Sequence, residues 1–291
     1  MYDIIIIGMG ISGITAGIYA KRNNKKVLLI DKGMPGGLLN NIDKVSNYPG
    51  LPEVSGETFA ENLEKQVNLL NIPFVLEEVK ELDLNKDIKH VITDKNTYQA
   101  HKVILAMGRK PKFLGLDNEK DLLGKGLSTC AVCDAFFYKD APIAIVGSGN
   151  SALQEALYLA NIVSKIYLIN RRDIFRGEES LVNEVKNNTK IEIIYNANIT
   201  SMNEDNNKLS SITLDNGNSL DVKGVFIYIG YRPATEFVPK QILDENNYIK
   251  VNEKLETPIK DVYAIGDIIK KDTYQLITAA SDGARVITNM K

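Results

Sequence analysis

The stretch Ile4-Ile5-Ile6-Ile7-Gly8-Met9-Gly10-Ile11-Ser12-Gly13 decides the fold. Four consecutive apolar residues read as a strand buried on both faces, and the break into G-x-G-x-x-G reads as a tight turn opening a helix. Glycines suit that turn because the backbone must bend sharply and come close to a pyrophosphate, whose charge the N–H groups at the helix start can bind. From Ile14 to Ala20 the residues are small and apolar, as the helix needs; Lys21–Lys26 turn the chain, and Val27–Ile30 make the next strand. Asp31 ends that strand, near the offset of about 20 residues at which a carboxylate accepts ribose hydroxyls of an adenosine cofactor.

The pattern returns at Ile143-Ala144-Ile145-Val146-Gly147-Ser148-Gly149-Asn150-Ser151-Ala152, with a helix expected over Leu153–Ala160 and a strand over Ile166–Ile169. Here the position matching Asp31 is Asn170, and Arg171, Arg172 and Arg176 follow it. Replacing an acid by arginines is what a 2′-phosphate requires, since a carboxylate would repel it. The first site therefore suits a cofactor with a free ribose and the second suits NADPH. As a plain solvated loop, the arginines would carry no such preference.

Both cysteines stand together in Cys130-Ala131-Val132-Cys133-Asp134, between the two glycine turns. A bridge across so short a loop constrains the unfolded chain little, so the pair reads as a redox dithiol. The thiolate is the species that attacks disulfides, and a Cys-x-x-Cys opening a helix has its thiol pKa lowered by backbone N–H groups and the helix dipole. Asp134 is the only titratable side chain within four residues of either cysteine and is placed for general acid–base work. The alternative is a buried pair of free cysteines with Asp134 as a helix cap. His90, expected in a loop, and His101, expected before a strand, are isolated, so no metal site is assembled.

Composition sets the frame around these motifs. The chain has 291 residues, 44% hydrophobic and 25% charged, enough for two domains of about 150 residues each. A net charge of -2 leaves no electrostatic footprint for nucleic acid, and Arg171-Arg172 is too short a basic run to supply one. No apolar run approaches the roughly 18 residues of a membrane span, and no basic leader precedes the strand that starts at Asp3; no membrane role and a cytoplasmic location are expected.

Gly36-Gly37 and Asn47-Tyr48-Pro49-Gly50 are turn-rich stretches after early strands, where ligands of open α/β sheets sit. Val103–Gly108 and Val262–Asp267 read as buried strands ending in glycine or Gly-Asp, with a helical tail from about Leu276. Asn203–Lys208 reads as a hairpin turn. A last strand returning to the first domain makes that domain discontinuous. The fold class is thus α/β, with two Rossmann-like, three-layer ββα dinucleotide-binding domains: residues 1–113 with 244–291, and an inserted 114–243.

Taken together, the two glycine turns, Gly36-Gly37, Asn47–Gly50, Cys130-x-x-Cys133-Asp134, the Arg171-Arg172-x-x-x-Arg176 run and Gly266-Asp267 resemble, in order and spacing over the whole chain, the low-molecular-weight thioredoxin reductase family. The resemblance implies FAD against Gly8, Gly10, Ile11, Ser12, Gly13, Asp31 and Lys32, then Gly36, Gly37, Leu38 and Asn47. It extends that site to Ala106 and Gly108, and at the C-terminal end to Gly266, Asp267, Gln275 and Leu276. It implies NADPH against Gly149, Asn150, Ser151 and the three arginines, a homodimer, and thioredoxin or a thioredoxin-like protein as acceptor. It also implies that Cys133 lies beside the flavin while Cys130 attacks the partner disulfide. A rotating NADPH domain follows, with hinges near Phe113–Gly115 and Val238–Lys240.

The chain departs from the family pattern at Ile11 (usually proline), Leu38 (glutamine), Ala135 (glycine), Asn170 (histidine) and Thr273-Tyr274-Gln275 (Tyr-Arg-Gln). Three alternatives stand beside the first reading: a disulfide reductase fed by ferredoxin or another donor, a flavin-dependent NAD(P)H oxidase or ferredoxin reductase, and a non-enzymatic FAD-binding module.

Overall fold

A computed structural model describes residues 1–42 and 44–290. The chain divides into two compact units, one formed by Met1–Lys110 with Arg232–Lys291 and the other by Pro111–Tyr231. The second crossing falls at Tyr231–Arg232, earlier than the expected 243. The reason is packing: Val238 and Ile242 are buried in the same core as Ile249 and Ile265. The crossing segments Arg109–Pro111 and Tyr231–Pro233 pair as a two-stranded ribbon, so the sites suggested for hinges at Phe113–Gly115 and Val238–Lys240 lie beyond the crossings themselves.

In the first unit, strand Tyr2–Ile7 pairs in parallel with Val27–Asp31 on one side and Thr97–Leu105 on the other. Ile4, Ile5, Ile6 and Ile7 are all buried, as a strand covered on both faces demands. Each contributes roughly 1.5 to 3 kcal/mol of apolar burial. Strand Thr97–Leu105 then forks. Its first half pairs antiparallel with Lys89–Thr93, and its last three residues pair in parallel with Val262–Ala264, the strand that returns late in the sequence. His90 therefore lies within a strand rather than in a loop, and His101 inside the long strand rather than before one; alternating burial in Lys89–Thr93 is a half-buried strand signal that the flanking lysines and aspartates obscured. Helix Ile11–Arg22 and the terminal helix Leu276–Asn289 pack together so tightly that a Cβ at Gly283 would lie 2.4 Å from the Ser12 carbonyl oxygen.

The second unit repeats the plan with a five-stranded parallel sheet in the spatial order Ile191–Tyr195, Lys165–Asn170, Pro142–Gly147, Gly224–Tyr228, Leu127–Ser128. Helix Asn150–Ala160 follows the central strand and buries Ala152, Leu153, Ala156 and Leu159 against it. An antiparallel meander, Ile199–Asp205, Lys208–Leu214 and Ser219–Asp221, covers the other side. Its first hairpin turns at Asn206-Asn207, both with positive φ, where asparagine is tolerated far better than a branched residue. No helix among the described residues is long and apolar enough to cross a membrane.

Candidate functional site

The glycine turn of the first unit is fixed by close backbone approach. A Cβ at Gly8, whose φ is +108°, would lie 2.3 Å from the Ala106 carbonyl oxygen, and one at Gly13 would lie 1.9 Å from the Gly8 carbonyl oxygen. At Gly10 the same atom would meet nothing within 4 Å, so this glycine faces open space. Gly10 is also the N-cap of helix Ile11–Arg22, and no side chain caps that end. A diphosphate fits such a cradle, because the first N–H groups of a helix have no partners inside it. Asp31 braces the turn: its Oδ2 accepts the Met9 N–H at 2.6 Å and its Oδ1 the Gly33 N–H at 3.0 Å. Ile11 and Ser12 are buried, and Lys32 is exposed with its ammonium 3.7 Å from Glu78.

Several sequence candidates of this unit converge on that turn. Gly36 donates its N–H to the Met9 carbonyl, and Gly37, with φ of +57°, would place a Cβ 3.2 Å from the Gly10 Cα. Leu38 follows in the short helix Gly37–Asn41. A Cβ at Gly266 would lie 2.5 Å from the Ser12 hydroxyl. Asn47 donates to the Gln275 side chain at 3.2 Å, bringing together two candidates from opposite ends of the chain, and Gln275 itself caps the terminal helix that begins at Leu276. Ala106 is buried at the end of the long strand, and Gly108 takes φ of +65° just after it.

Asp267 shows what this cradle still asks for. Its Oδ2 accepts from Arg109 at 2.9 Å, while its buried Oδ1 has the Lys271 ammonium 4.0 Å away but no hydrogen-bond partner. Arg109 in turn lies over the Tyr274 ring, 3.9 Å from its centroid. A buried carboxylate oxygen left open is costly unless a donor completes it, and the hydroxyl-rich chain of FAD supplies donors of that kind. The first unit therefore fits FAD. Arg109, absent from the sequence-derived set, was signalled by its place directly after Gly108 at the end of a buried strand.

In the second unit, a Cβ at Gly147 would lie 2.5 Å from the Tyr228 carbonyl oxygen, while Gly149, the N-cap of helix Asn150–Ala160, again opens onto free space. Gly149, Asn150, Ser151 and Arg176 line one cavity of about 180 Å³ together with Thr129, Tyr228 and Tyr231. Arg176 is tied to the glycine turn, its N–H donating to the Ser148 carbonyl at 2.7 Å. The Asn150 side chain is occupied by Glu178, donating to its carboxylate at 2.8 Å and accepting its N–H at 2.7 Å. Arg171 and Arg172 are exposed on the loop after strand Lys165–Asn170 and do not line the cavity. An open helix start, a cavity and a nearby arginine loop fit a phosphorylated dinucleotide.

Thr129, which lines the same cavity, directly precedes the first cysteine. Cys130 and Cys133 form a disulfide with S–S 2.02 Å and Cα–Cα 5.4 Å. Cys130 caps the short helix Ala131–Asp134, its Sγ accepting the Cys133 N–H at 3.2 Å. Buried Ser128 ties down the loop by accepting the Cys130 N–H at 3.0 Å and donating to the Cys130 carbonyl at 3.2 Å. Tyr228, at the carboxyl end of a parallel strand, accepts the Ala131 N–H at 2.9 Å. Burial, reinforced by the Glu155 carboxylate, pushes the Tyr228 phenol far above its usual range, so it stays protonated. Cys130 is buried and Cys133 exposed; Asp134 is half-buried at the end of the short helix. Just beyond stand Phe136 and Phe137, exposed by 77% and 83%. Sequence reasoning passed over Tyr228 and this aromatic pair. The signals were a tyrosine closing a buried strand, and two adjacent aromatics that one short helical turn cannot bury together.

The comparisons with known proteins agree with this geometry. Residues 2–284 match the family described as pyridine nucleotide-disulphide oxidoreductase. The thioredoxin reductase of Bacillus subtilis is 36% identical over 290 residues, spanning 98% of this chain and 92% of the relative. Among solved structures, Lactococcus lactis thioredoxin reductase superposes with a TM-score of 0.93 at 31% identity, covering 99% of this chain and 97% of that one. A ferredoxin-flavin thioredoxin reductase from Clostridium acetobutylicum gives a TM-score of 0.55 at 31% identity, covering 99% and 96%. The chain belongs to the pyridine nucleotide-disulphide oxidoreductase family and, within it, to the low-molecular-weight thioredoxin reductases. It is an oxidoreductase of α/β architecture with a redox-active disulfide.

Proposed function

We propose that this protein is an NADPH-dependent thioredoxin-disulfide reductase, with FAD held by the first unit and NADPH by the second. When bound, these two cofactors supply a pair of electrons that opens the Cys130–Cys133 bond. The observation that carries the reading is that one unit joins a phosphate-cradling helix start and a bonded cysteine pair, with Thr129, the neighbour of Cys130, lining the cavity beside Gly149 and Arg176.

The protein's own residues divide the work that follows. In the reduced pair, Cys130 is the nucleophile: the Cys133 N–H aimed at its sulfur favours the thiolate. Attack on a partner disulfide forms a mixed disulfide and releases one partner thiolate. Cys133 then attacks Cys130, the internal bond re-forms, and the second partner sulfur leaves, so two electrons pass to the partner in all. Asp134 takes and returns the proton that the departing thiolates need. The exposed Phe136–Phe137 pair suits a protein partner, since aromatic side chains anchor protein interfaces.

The acceptor is thioredoxin or a thioredoxin-like protein, the assembly is a homodimer, and the location is the cytoplasm; resemblance to the family supports these three, and light scattering tests the dimer. The likeness to the Clostridium acetobutylicum protein keeps a second electron donor in view. An anaerobic titration with NADPH, NADH and reduced ferredoxin, followed by flavin absorbance, separates the donors. Stoichiometric bleaching by NADPH, followed by turnover on a thioredoxin disulfide, is the expected result; bleaching by ferredoxin alone would transfer the chain to the ferredoxin-driven class. Cys133→Ser should trap a mixed disulfide with thioredoxin through Cys130. Trapping only in Cys130→Ser would exchange the two roles, as the exposure of Cys133 would then explain.

A further inference from the structure

The residue before the arginines is where this chain departs from the histidine of its family's pattern, and the structure gives that asparagine a defined task. Asn170 ends strand Lys165–Asn170 and is only 1% exposed. Its Oδ1 accepts the Arg172 N–H at 3.2 Å, and its Nδ2 donates to the Ile174 carbonyl at 2.8 Å. Its backbone carbonyl takes the Ala197 N–H at 3.3 Å, and the Asn196 N–H reaches the Arg172 carbonyl at 3.4 Å. At the far end of the loop, Arg176 is bound to Ser148 of the glycine turn through its N–H at 2.7 Å and its Nε at 3.4 Å.

The loop that carries Arg171, Arg172 and Arg176 is thus pinned at both ends. At the sheet end the side-chain pin is Asn170, bonded two and four residues ahead in the manner of an asparagine-closed turn and supplemented by the Asn196 and Ala197 backbone bonds. With both its oxygen and its amide engaged inside the loop and almost no exposed surface, Asn170 serves the loop and not the nucleotide directly. The arginines themselves are exposed and make no ion pair among the described residues. Long, charged, solvent-facing side chains lose much rotational freedom on binding, and a preset backbone reduces the part of that loss that falls on the loop.

We infer that Asn170 is a positioning residue for 2′-phosphate discrimination, holding the loop so that Arg171 and Arg172 converge on one anion. The inference rests on the NADPH reading of the second unit.

The test is equilibrium binding, by calorimetry, of NADP⁺ and NAD⁺ to the full-length protein and to Asn170→Ala and Asn170→Ser, with circular dichroism to show that each is folded. The serine variant keeps an oxygen near the Arg172 N–H but cannot reach Ile174, so it remains useful if the alanine variant does not fold. For the unaltered protein, tighter binding of NADP⁺ than of NAD⁺ is expected. In the variants NADP⁺ affinity should fall by about tenfold, the effect of losing a modest set of buried hydrogen bonds, while NAD⁺ affinity stays within about twofold. No preference in the unaltered protein would overturn the NADPH reading itself. A preserved preference in the variants, or an equal loss for both nucleotides, would overturn the role of Asn170 and leave that reading intact.

Discussion

The two glycine turns are built on one plan and secured by opposite charges. In the first unit the acid at the end of the second strand reaches back to the turn, Asp31 accepting the Met9 N–H. In the second, Asn170 turns forward into its own loop, and it is Arg176 that comes back to the turn at Ser148. The third position differs as well: Gly13 would drive a Cβ to 1.9 Å from the Gly8 carbonyl oxygen, whereas the second unit accommodates Ala152, fully buried, in the matching place. The same local fold thus presents a carboxylate beside one cradle and guanidinium groups beside the other. We propose that this exchange sets which nucleotide each unit prefers.

The sharpest way to break the comparison is at its third position. Gly13→Ala forces a methyl into backbone that cannot move aside, and should destabilise the first unit by about 3 kcal/mol or more and leave the purified protein colourless. Ala152→Gly, the reverse change in the second unit, should cost only about 1 kcal/mol. Thermal melts followed by circular dichroism compare the two, and equal losses would show that the turns are under the same constraint after all.

Charge comes next. Replacing Arg171 and Arg172 together by alanine should weaken NADPH binding by roughly 2 to 4 kcal/mol, taking hydrogen bonds to charged groups at about 1.5 to 3 each with incomplete additivity. NADH should bind almost as before. Fluorescence titration of both nucleotides checks this, and parallel losses would end the assignment of these arginines to the 2′-phosphate.

The smallest expected effect sharpens the second unit alone. Tyr228→Phe removes the acceptor of the Ala131 N–H and leaves that backbone group unpaired, a cost of about 1 to 3 kcal/mol. The cysteine pair should then become easier to reduce by a small dithiol, because the loop that holds it is looser, while the affinity for NADP⁺ should change little. An unaltered reduction rate would separate Tyr228 from the dithiol.

Much of this was legible in the sequence, and for identifiable reasons. Both glycine turns, the helices behind them and the late strand Val262–Ala264 follow from backbone requirements that act within a few residues, so glycine spacing and apolar runs report them directly. The strand containing His90 was missed because lysines and aspartates at its edges masked a half-buried alternation. The boundary at Arg232 was missed because it depends on where Val238 and Ile242 are buried, which no local pattern states.

By itself, then, the sequence determined the number of dinucleotide cradles, the acid-for-arginine exchange between them and the closeness of the two cysteines, since each depends on residues a few positions apart. Only the tertiary structure decided what each side chain does there. Asn47 meets Gln275 and Arg109 meets Asp267 across separations of 228 and 158 residues, Tyr228 closes onto Ala131, and the Asn170 amide turns inward to its loop. A hydrogen bond needs its partners within about 3 Å and in line, and over such separations that meeting is set by the packing of the whole sheet.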